Sequence, residues 1–208
     1  MKDQPEINSN NDSINRNPLK FLDNIDDFKH IVLFYEEPES GRMIKFHFIK
    51  NGLLKGQHCI YTTHKDADIP LIENEMTNSG IDVEGYKKTN LLHFYQLPDP
   101  ESFQEGSVKG YHEFVKGILA DLKHPSSFRM VSRALPEVKK EDQIADVLDA
   151  ERTYCSTFGS FGGSLLCSYL VEEIEPRKRG KWIAELLQNH HIAIFIPKSG
   201  DGIAFNLE

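Results

Sequence analysis

The segment His30–Thr63 reads HIVLFYEEPESGRMIKFHFIKNGLLKGQHCIYTT. It predicts an apolar strand over 30–35, a loop rich in turn residues, an amphipathic helix over about 40–54, and a second apolar strand over about 57–63. The first strand is apolar on both faces, which is typical of a central parallel strand covered by helices. The segment therefore predicts a βαβ unit, and the loop after its first strand stands where nucleotide-binding proteins hold phosphate groups.

This loop departs from the phosphate-binding pattern G-x-x-x-x-G-K-[ST]. With Gly41 as the second glycine, Glu36 takes the place of the first glycine. Arg42 then replaces the lysine, and Met43 replaces the hydroxyl residue that holds magnesium, which binds oxygen ligands. The glutamates of the loop would also repel a triphosphate, by about 1 kcal/mol for two unit charges 4 Å apart in water. We expect a nucleotide-hydrolase scaffold whose phosphate site is disabled.

Strand and helix patterns alternate through the rest of the chain. Further strands are expected over 91–95, 128–132, 164–171 and 191–196, and further helices over about 66–79, 108–122, 139–157 and 177–188. This alternation predicts an α/β fold of three layers, with a mostly parallel central sheet and helices on both faces. Residues 203–205 could add an antiparallel C-terminal edge strand. Residues 1–20 are expected to form a disordered leader before a single domain over 21–208.

The composition narrows the classes of function. The chain has 208 residues, a formal net charge of −8 and a pI near 5.6. Direct contact with nucleic acid or an anionic membrane is therefore not expected. Neither a membrane-spanning helix nor a signal peptide is expected, since the long apolar runs that both require are missing from the sequence. The three cysteines lack a C-x-x-C spacing, which favours reduced thiols in a cytoplasm.

Several phrases of the sequence resemble one known family. They are the spacing from His30 to Tyr35, FIKNGLLKG at 48–56, IYTT at 60–63, NSGIDV at 78–83 and LLCSY at 165–169. The first three resemble the RecA/KaiC-type ATPase core. They resemble still more its non-ATPase relatives, the MEDS family of methanogen/methylotroph sensory domains. The last two phrases and a histidine before the last core strand also resemble that family. The resemblance covers roughly residues 28 to 197, and residues 100–160 are matched loosely, through Arg129 and Glu151.

This resemblance implies a function without catalysis. It implies a cytoplasmic, prokaryotic sensory domain that binds a small organic or hydrocarbon-derived ligand and carries no cofactor. Family members often include a DNA-binding or kinase domain, and this chain is too short to hold one as well. We therefore expect the signal to pass through signalling or transcription-regulating partner proteins, or through contacts between copies in a homo-oligomer.

An enzyme with altered nucleotide chemistry is the alternative. In that interpretation Arg42 replaces the phosphate-binding lysine, and Asp66 or Glu151 serves as the base. Against it, the strand that ends at Ser132 is followed by Arg133, where an ATPase carries the Walker B aspartate. Asp66 also suits a helix cap. A third interpretation is a scaffold protein that kept only the fold.

The candidate ligand-binding residues lie at strand ends and around the first helix start. They are His30, Tyr35, Glu36, Ser40, Gly41, Arg42, Thr63, His64, Arg129, Cys167, Tyr169 and His190. Tyr35 is well placed because open parallel sheets bind ligands at the carboxyl ends of their strands. The helix start at Ser40–Arg42 could attract a carboxylate or a sulfate-like group, to which the Arg42 guanidinium would donate two hydrogen bonds. A plain capped helix start is the other interpretation of these residues.

The later part of the chain offers a second group of candidates. Cys167 and Tyr169 are two apart on one strand and so face the same side of the sheet. His190 or His191 near the start of a neighbouring strand could join them. We expect no metal site, because zinc usually takes four ligands or three and a water, and a second paired spacing is missing. Cys167 is interpreted as a buried apolar residue, with a nucleophilic Cys/His pair as the alternative.

Overall fold

The computed structural model describes residues 17–26, 28–65, 68–98, 107–123, 125–132, 148–149, 151–153, 162–174, 176–177 and 179–207. The helices are α1 Pro18–Asp23, α2 Pro38–Leu54, α3 Ile69–Asn78, α4 Val83–Lys88, α5 Ser107–Asp121 and α6 Arg179–Gln188. The strands are β1 His30–Tyr35, β2 His58–Thr63, β3 Leu92–Gln96, β4 Phe128–Ser132, β5 Ser164–Leu170, β6 Ile192–Ile196 and β7 Ile203–Asn206. Residues 148–149 and 151–153 are also helical and are called the Glu151 segment.

The strands form one seven-stranded sheet in the order β3-β2-β4-β5-β1-β6-β7. Strands β1 to β6 all run in the same direction, and β7 pairs antiparallel with β6. The carboxyl ends of β1 to β6 therefore meet along one edge of the sheet, here called the C-terminal edge. This architecture confirms the predicted α/β fold, including the antiparallel strand after the parallel ones.

Each face of the sheet has its own apolar core. On the α2 face, Leu33 of β1 packs with Phe48 of α2 and with residues of α1, α3 and α4. On the opposite face, here called the α6 face, Val32 packs with Leu186 of α6 and with residues of α5. Because side chains alternate along a strand, β1 is buried on both sides. Each fully buried side chain of this size contributes roughly 1.5–3 kcal/mol.

Most predicted elements are present, with ends that differ by a few residues. Helix α2 begins at Pro38 rather than Ser40, because proline with its fixed φ suits the first helical turn. Helix α4 was not predicted, since six residues are too few to display a helical period. Its visible signal is the N-cap Asp82, whose carboxylate accepts a hydrogen bond from the Gly85 N–H.

Helix α1 lies at the N-terminal boundary predicted for the domain. Helix α1 begins at Pro18 and buries Leu22, so the domain boundary predicted near Phe21 lies inside a helix. Expectations for residues 1–16 lie outside the described residues. The helix predicted over 139–157 also lies mostly outside them, apart from the Glu151 segment. Within the described part of the chain, the helices lack the combination of length and apolarity needed to cross a bilayer.

Candidate functional site

A pocket with a volume of about 550 Å³ opens at the C-terminal edge of the sheet. We call it the edge pocket. Its lining residues come from β1, β2, β4, β5 and the elements that follow them: Tyr35, Lys45, Tyr61, Thr62, Thr63, His64, Lys65, Asp68, Ile72, Val131, Ser132, Ser168 and Glu173. Parallel strands bring these residues together because all of their carboxyl ends reach the same edge.

Close packing against the Tyr35 ring fixes one wall of the edge pocket. A Cβ atom on Gly41 would lie 2.5 Å from Cδ2 of the Tyr35 ring, so glycine is needed at this position. The ammonium group of Lys45 lies 5.3 Å from the centre of the same ring. Burial raises the pKa of the Tyr61 phenol, which therefore stays neutral. These contacts fix the Tyr35 ring and keep the Tyr61 phenol uncharged at the pocket wall.

Two of the groups expected to bind an anion at the start of α2 have partners within the protein. Because the helix begins at Pro38, Gly41 lies in its first turn, and its N–H donates to the Glu37 carbonyl at 3.2 Å. Arg42 is ion-paired with Glu75 of α3 and with Glu39, the latter at 3.3 Å. The Gly41 N–H and the Arg42 guanidinium are thus both engaged within the protein, which favours the plain helix start. The anion-binding role of Ser40, Gly41 and Arg42 stays a prediction.

Glu36 also lies apart from the edge pocket. It accepts a hydrogen bond from the backbone N–H of Lys198 at 3.0 Å, and its own N–H donates to the Ile196 carbonyl at 3.1 Å. These bonds tie the end of β1 to the turn after β6. Glu36 thus has a structural contact where a ligand contact was expected.

Arg129 is buried within the α2 face, near the start of β4. Its Nε donates to Oε1 of Gln57 at 2.9 Å, and one terminal nitrogen donates to the Phe48 carbonyl at 3.0 Å. The guanidinium carbon lies 4.9 Å from the centre of the Phe48 ring. Arg129 is 1% exposed and links β4 to α2, which favours a packing role. Its ligand-binding role stays a prediction.

A second group of polar side chains lies on the α6 face. His30 begins β1, Cys167 lies on the neighbouring β5, and His190 precedes β6 on the other side of β1. Glu151 reaches them from the Glu151 segment. We call these four residues the buried cluster, because His30 and Glu151 are 0% exposed, Cys167 1% and His190 4%.

The polar atoms of the buried cluster converge on one point. Nε2 of His30 lies 3.3 Å from Oε2 of Glu151 and 3.4 Å from Sγ of Cys167. The same glutamate oxygen lies 3.6 Å from Nε2 of His190 and 3.6 Å from the cysteine sulfur. These four atoms are all within 4.8 Å of one another. The Tyr169 hydroxyl donates to the other oxygen of Glu151.

Backbone carbonyls fix the orientation of both imidazoles. Nδ1 of His30 lies 3.0 Å from the Asn189 carbonyl oxygen, and Nδ1 of His190 lies 2.7 Å from that of Leu186. A carbonyl only accepts hydrogen bonds, so each Nδ1 carries a proton and each Nε2 faces the centre of the cluster. Nε2 of His190 has no hydrogen-bond partner among the described residues.

Burial shifts the titration of this cluster strongly. Burial, together with the nearby His30, lowers the pKa of His190 to about 3. Burial, together with the Glu151 carboxylate, raises the pKa of the Cys167 thiol to about 12. Burial acts to raise the pKa of Glu151 as well, but the opposing causes, of which the hydrogen bond with His30 is the largest, lower that pKa to about 2. The Glu151 carboxylate therefore stays charged beside the neutral imidazole of His190.

With this geometry established, the chain can be compared with known proteins. The family model described as "MEDS: MEthanogen/methylotroph, DcmR Sensory domain" matches residues 29–191, more than half of the chain. The chain belongs to the MEDS family. This confirms the resemblance drawn from the sequence, and it assigns the chain to a family of sensory domains. A search of curated proteins gives no match.

Solved structures support the fold of this MEDS domain. A KaiC-like protein from the hyperthermophilic archaeon Pyrococcus horikoshii OT3 aligns with a TM-score of 0.59 and 11% sequence identity. The alignment covers 82% of this chain and 72% of that chain. Identity at this level shows a shared fold alone, and it confirms the predicted RecA/KaiC-like core.

The predicted site residues of the MEDS domain fall in separate places. Tyr35, Thr63 and His64 line the edge pocket. Arg42 lines a different surface depression of about 490 Å³ between α2 and α3. His30, Cys167 and His190 belong to the buried cluster, with Tyr169 beside it. The edge pocket and the buried cluster share no residue.

Sequence reasoning named Glu151 without recognising its part in the cluster. A weak signal was present, because Glu151 follows Val147 and Leu148 by four and three residues in the predicted helix. That spacing places a carboxylate on the apolar face of a helix. A charge in such a position is seldom buried without a partner.

Proposed function

We propose that this MEDS domain is a non-catalytic sensor that binds a small organic molecule in the edge pocket. The observation that carries the proposal is the pocket itself, at the edge where open parallel sheets bind their ligands. Its volume of about 550 Å³ lies within the range of roughly 300–1,000 Å³ found for small-molecule sites. The family match supplies the sensory role.

The lining of the edge pocket favours a small polar or amphipathic ligand. Hydroxyl groups come from Thr62, Thr63, Ser132 and Ser168, and the Tyr35 ring supplies an apolar surface. Two lysines and two acidic residues also line the pocket, so their formal charges balance. A neutral or zwitterionic molecule fits these walls better than a polyanion such as a triphosphate.

The absence of ATP hydrolysis is part of the same proposal. Helix α2 begins two residues after Glu36, so most of the residues aligned with a phosphate loop are helical. Ser132 ends β4 and Arg133 follows it, so a Walker B carboxylate is missing from this stretch of the sequence. We expect Mg-ATP at millimolar concentration to leave the melting temperature unchanged and to release no phosphate. Saturable binding with turnover would instead support the alternative of a KaiC-like ATPase.

A ligand screen with a paired substitution tests the proposed pocket. Ile72 of α3 is half-buried in the pocket lining, whereas its neighbour Leu71 is 59% exposed. A panel of small alcohols, amines, carboxylates and halogenated hydrocarbons is screened by thermal shift, and hits are measured by calorimetry. Ile72→Trp should fill the pocket and weaken a hit by at least about tenfold, or roughly 1.4 kcal/mol.

Leu71→Trp adds the same side chain to the same helix and should leave the affinity unchanged. A ligand that both variants bind as tightly as the unsubstituted chain occupies another site, and that result would refute the edge pocket. For the output, we propose a signalling or transcription-regulating partner protein in a prokaryotic cytoplasm. Its signature is an affinity between the two proteins that changes when the ligand is added.

A further inference from the structure

The buried cluster has the spacing of a metal-binding site. Zinc bonds of about 2.0–2.3 Å at tetrahedral angles place ligand atoms roughly 3.3–3.6 Å apart. The distances from Oε2 of Glu151 to the histidine nitrogens and to the cysteine sulfur are 3.3, 3.6 and 3.6 Å, and that from His30 Nε2 to the sulfur is 3.4 Å. Four edges of the tetrahedron therefore already have the required length.

The orientation of the side chains agrees with this spacing. Metal-binding histidines usually donate their second ring N–H to a carbonyl or carboxylate, which directs the other nitrogen at the ion. His30 and His190 both do so, through the carbonyls of Asn189 and Leu186. Without a cation, the buried Nε2 of His190 faces a carboxylate oxygen at 3.6 Å, and both atoms are acceptors. A positive ion between them resolves that conflict.

The charges of the ligand set also match a divalent ion. A carboxylate and a thiolate carry two negative charges, and two neutral imidazoles add none, so the loaded site is neutral in a region that excludes water. Imidazole and thiolate ligands disfavour magnesium and calcium and suit zinc-like ions. Four protein ligands leave no position for water or substrate, which is typical of a structural rather than a catalytic zinc site.

We propose that His30, Glu151, Cys167 and His190 bind one divalent transition-metal ion, with zinc as the best match. The ion would join the neighbouring strands β5, β1 and β6 to the Glu151 segment. Tyr169 would act as a positioning residue, because its hydroxyl holds the glutamate oxygen that does not face the centre. The site is independent of the edge pocket and of the ligand proposed for it.

Cobalt substitution in the untagged full chain tests this site. The protein is stripped with a chelator under reducing conditions and titrated with Co²⁺ at neutral pH. We expect saturation at one equivalent, the strong visible absorption of tetrahedral cobalt, and a near-ultraviolet thiolate-to-cobalt charge-transfer band. Zinc should displace the cobalt. Failure of the unsubstituted chain to bind one equivalent would overturn the proposal.

Two cysteine variants form a matched pair. Cys167→Ser should abolish the charge-transfer band and weaken cobalt binding at least about 100-fold, beyond the 10–100-fold typical of outer partners. Cys59→Ser removes the other cysteine that the structure describes, whose Sγ donates to the Ile49 carbonyl on the α2 face, and should keep both properties. The reverse result, with the band lost only in Cys59→Ser, would refute the site.

A measurement without variants covers the case in which Cys167→Ser fails to fold. X-ray absorption at the zinc edge of the unsubstituted, zinc-loaded chain should show one sulfur neighbour and three nitrogen or oxygen neighbours. A zinc environment without sulfur would place the ion elsewhere, for example at the surface pair His58 and His93, whose ring nitrogens lie 3.2 Å apart. That outcome would also overturn the proposal.

Discussion

The edge pocket and the buried cluster place polar groups on the same sheet in opposite environments. In the pocket, Lys65 and Asp68 are exposed, so both can stay solvated before a ligand arrives. In the cluster, a carboxylate and two imidazoles are almost completely buried, and water cannot compensate a missing partner. Substitutions in the pocket should therefore change ligand binding with little effect on stability. Substitutions in the cluster should change stability first.

The largest expected effect is a loss of stability on substitution in the buried cluster. Glu151→Ala should lower the free energy of unfolding of the zinc-loaded protein by about 3–5 kcal/mol, because it removes one member of a buried, charge-paired group. Urea unfolding at saturating zinc measures the loss. Asp149→Ala is the control on the same segment, since Asp149 is 59% exposed and pairs with Arg152 at 2.8 Å. The free energy of unfolding of Asp149→Ala should fall by no more than about 1 kcal/mol.

If the two variants lost equal stability, Glu151 would behave as an ordinary surface carboxylate. The contrast between a closed cluster and an open pocket would then fail. Ile72→Trp offers a second check on the same contrast, because it fills the pocket without touching the cluster. Its zinc affinity should equal that of the unsubstituted chain.

Sequence reasoning reached the sheet and the pocket because both follow from local patterns. The sequence predicts an apolar strand such as 30–35 and a helix such as 108–122 from their hydrophobic periodicity and from the turn residues that flank them. Once the strands are known to be parallel, their carboxyl ends must share one edge. Tyr35 and Thr63 could therefore be assigned to one site from the sequence.

Sequence reasoning grouped Cys167 and Tyr169 with His190 or His191, but it did not place His30 or Glu151 in the buried cluster. His30 and His190 are far apart in the chain, and they meet because β6 pairs beside β1 while β5 pairs on its other side. That strand order is a property of the whole sheet and not of any short segment. Zinc sites with paired spacings are visible in a sequence, whereas a site assembled from single residues on separate elements is not.

The start of α2 shows a different limit. The pattern around Gly41 correctly predicted a strand followed by a helix, yet it suggested a helix start with free N–H groups. Pro38 moves that start three residues earlier than Gly41, and the N–H of Gly41 is thereby used within the helix. Helix ends are set by such single residues, so a ligand site that depends on one cannot be read from periodicity.

An intermediate effect links Gly41 to the edge pocket. Gly41→Ala should destabilise the protein by about 1–3 kcal/mol, because the added Cβ would lie 2.5 Å from a Tyr35 ring carbon and must push the ring aside. It should also weaken any ligand of the pocket, which Tyr35 lines. Thermal unfolding and calorimetry with a screened ligand measure the two effects.

Gly117→Ala is the matched control for that substitution. Gly117 lies in α5, and a Cβ atom there would meet nothing within 4 Å. The change should stabilise the protein by about 0.5–1 kcal/mol, since alanine is the better helix former. A pocket affinity that stayed unchanged in Gly41→Ala would show that Tyr35 contributes no contact to the ligand.

The smallest effect comes from a carboxylate and an imidazole that meet in solvent. Oδ1 of Asp23 in α1 lies 2.7 Å from Nε2 of His47 in α2. This carboxylate–imidazole contact resembles those of Glu151 with its histidines, but the Asp23 side chain is 49% exposed. The hydrogen bond from Asn51 and, after it, the one from His47 lower the pKa of Asp23 below its ordinary value of 3.8, although burial opposes them. Screening by water limits the stability involved to roughly 0.2–1 kcal/mol.

The sign of its pH dependence follows from the lowered pKa. The folded protein binds the Asp23 proton less readily than the unfolded chain does, so the contribution is present above about pH 4 and is lost as the pH falls through the lowered pKa. Urea midpoints of the unsubstituted chain and of Asp23→Asn should therefore differ slightly at pH 7 and converge as the pH falls through the lowered pKa of Asp23. A difference at pH 7 as large as that for Glu151→Ala would mean that burial does not separate the two kinds of carboxylate–imidazole contact. The distinction between the buried cluster and the solvated surface would then lose its physical basis.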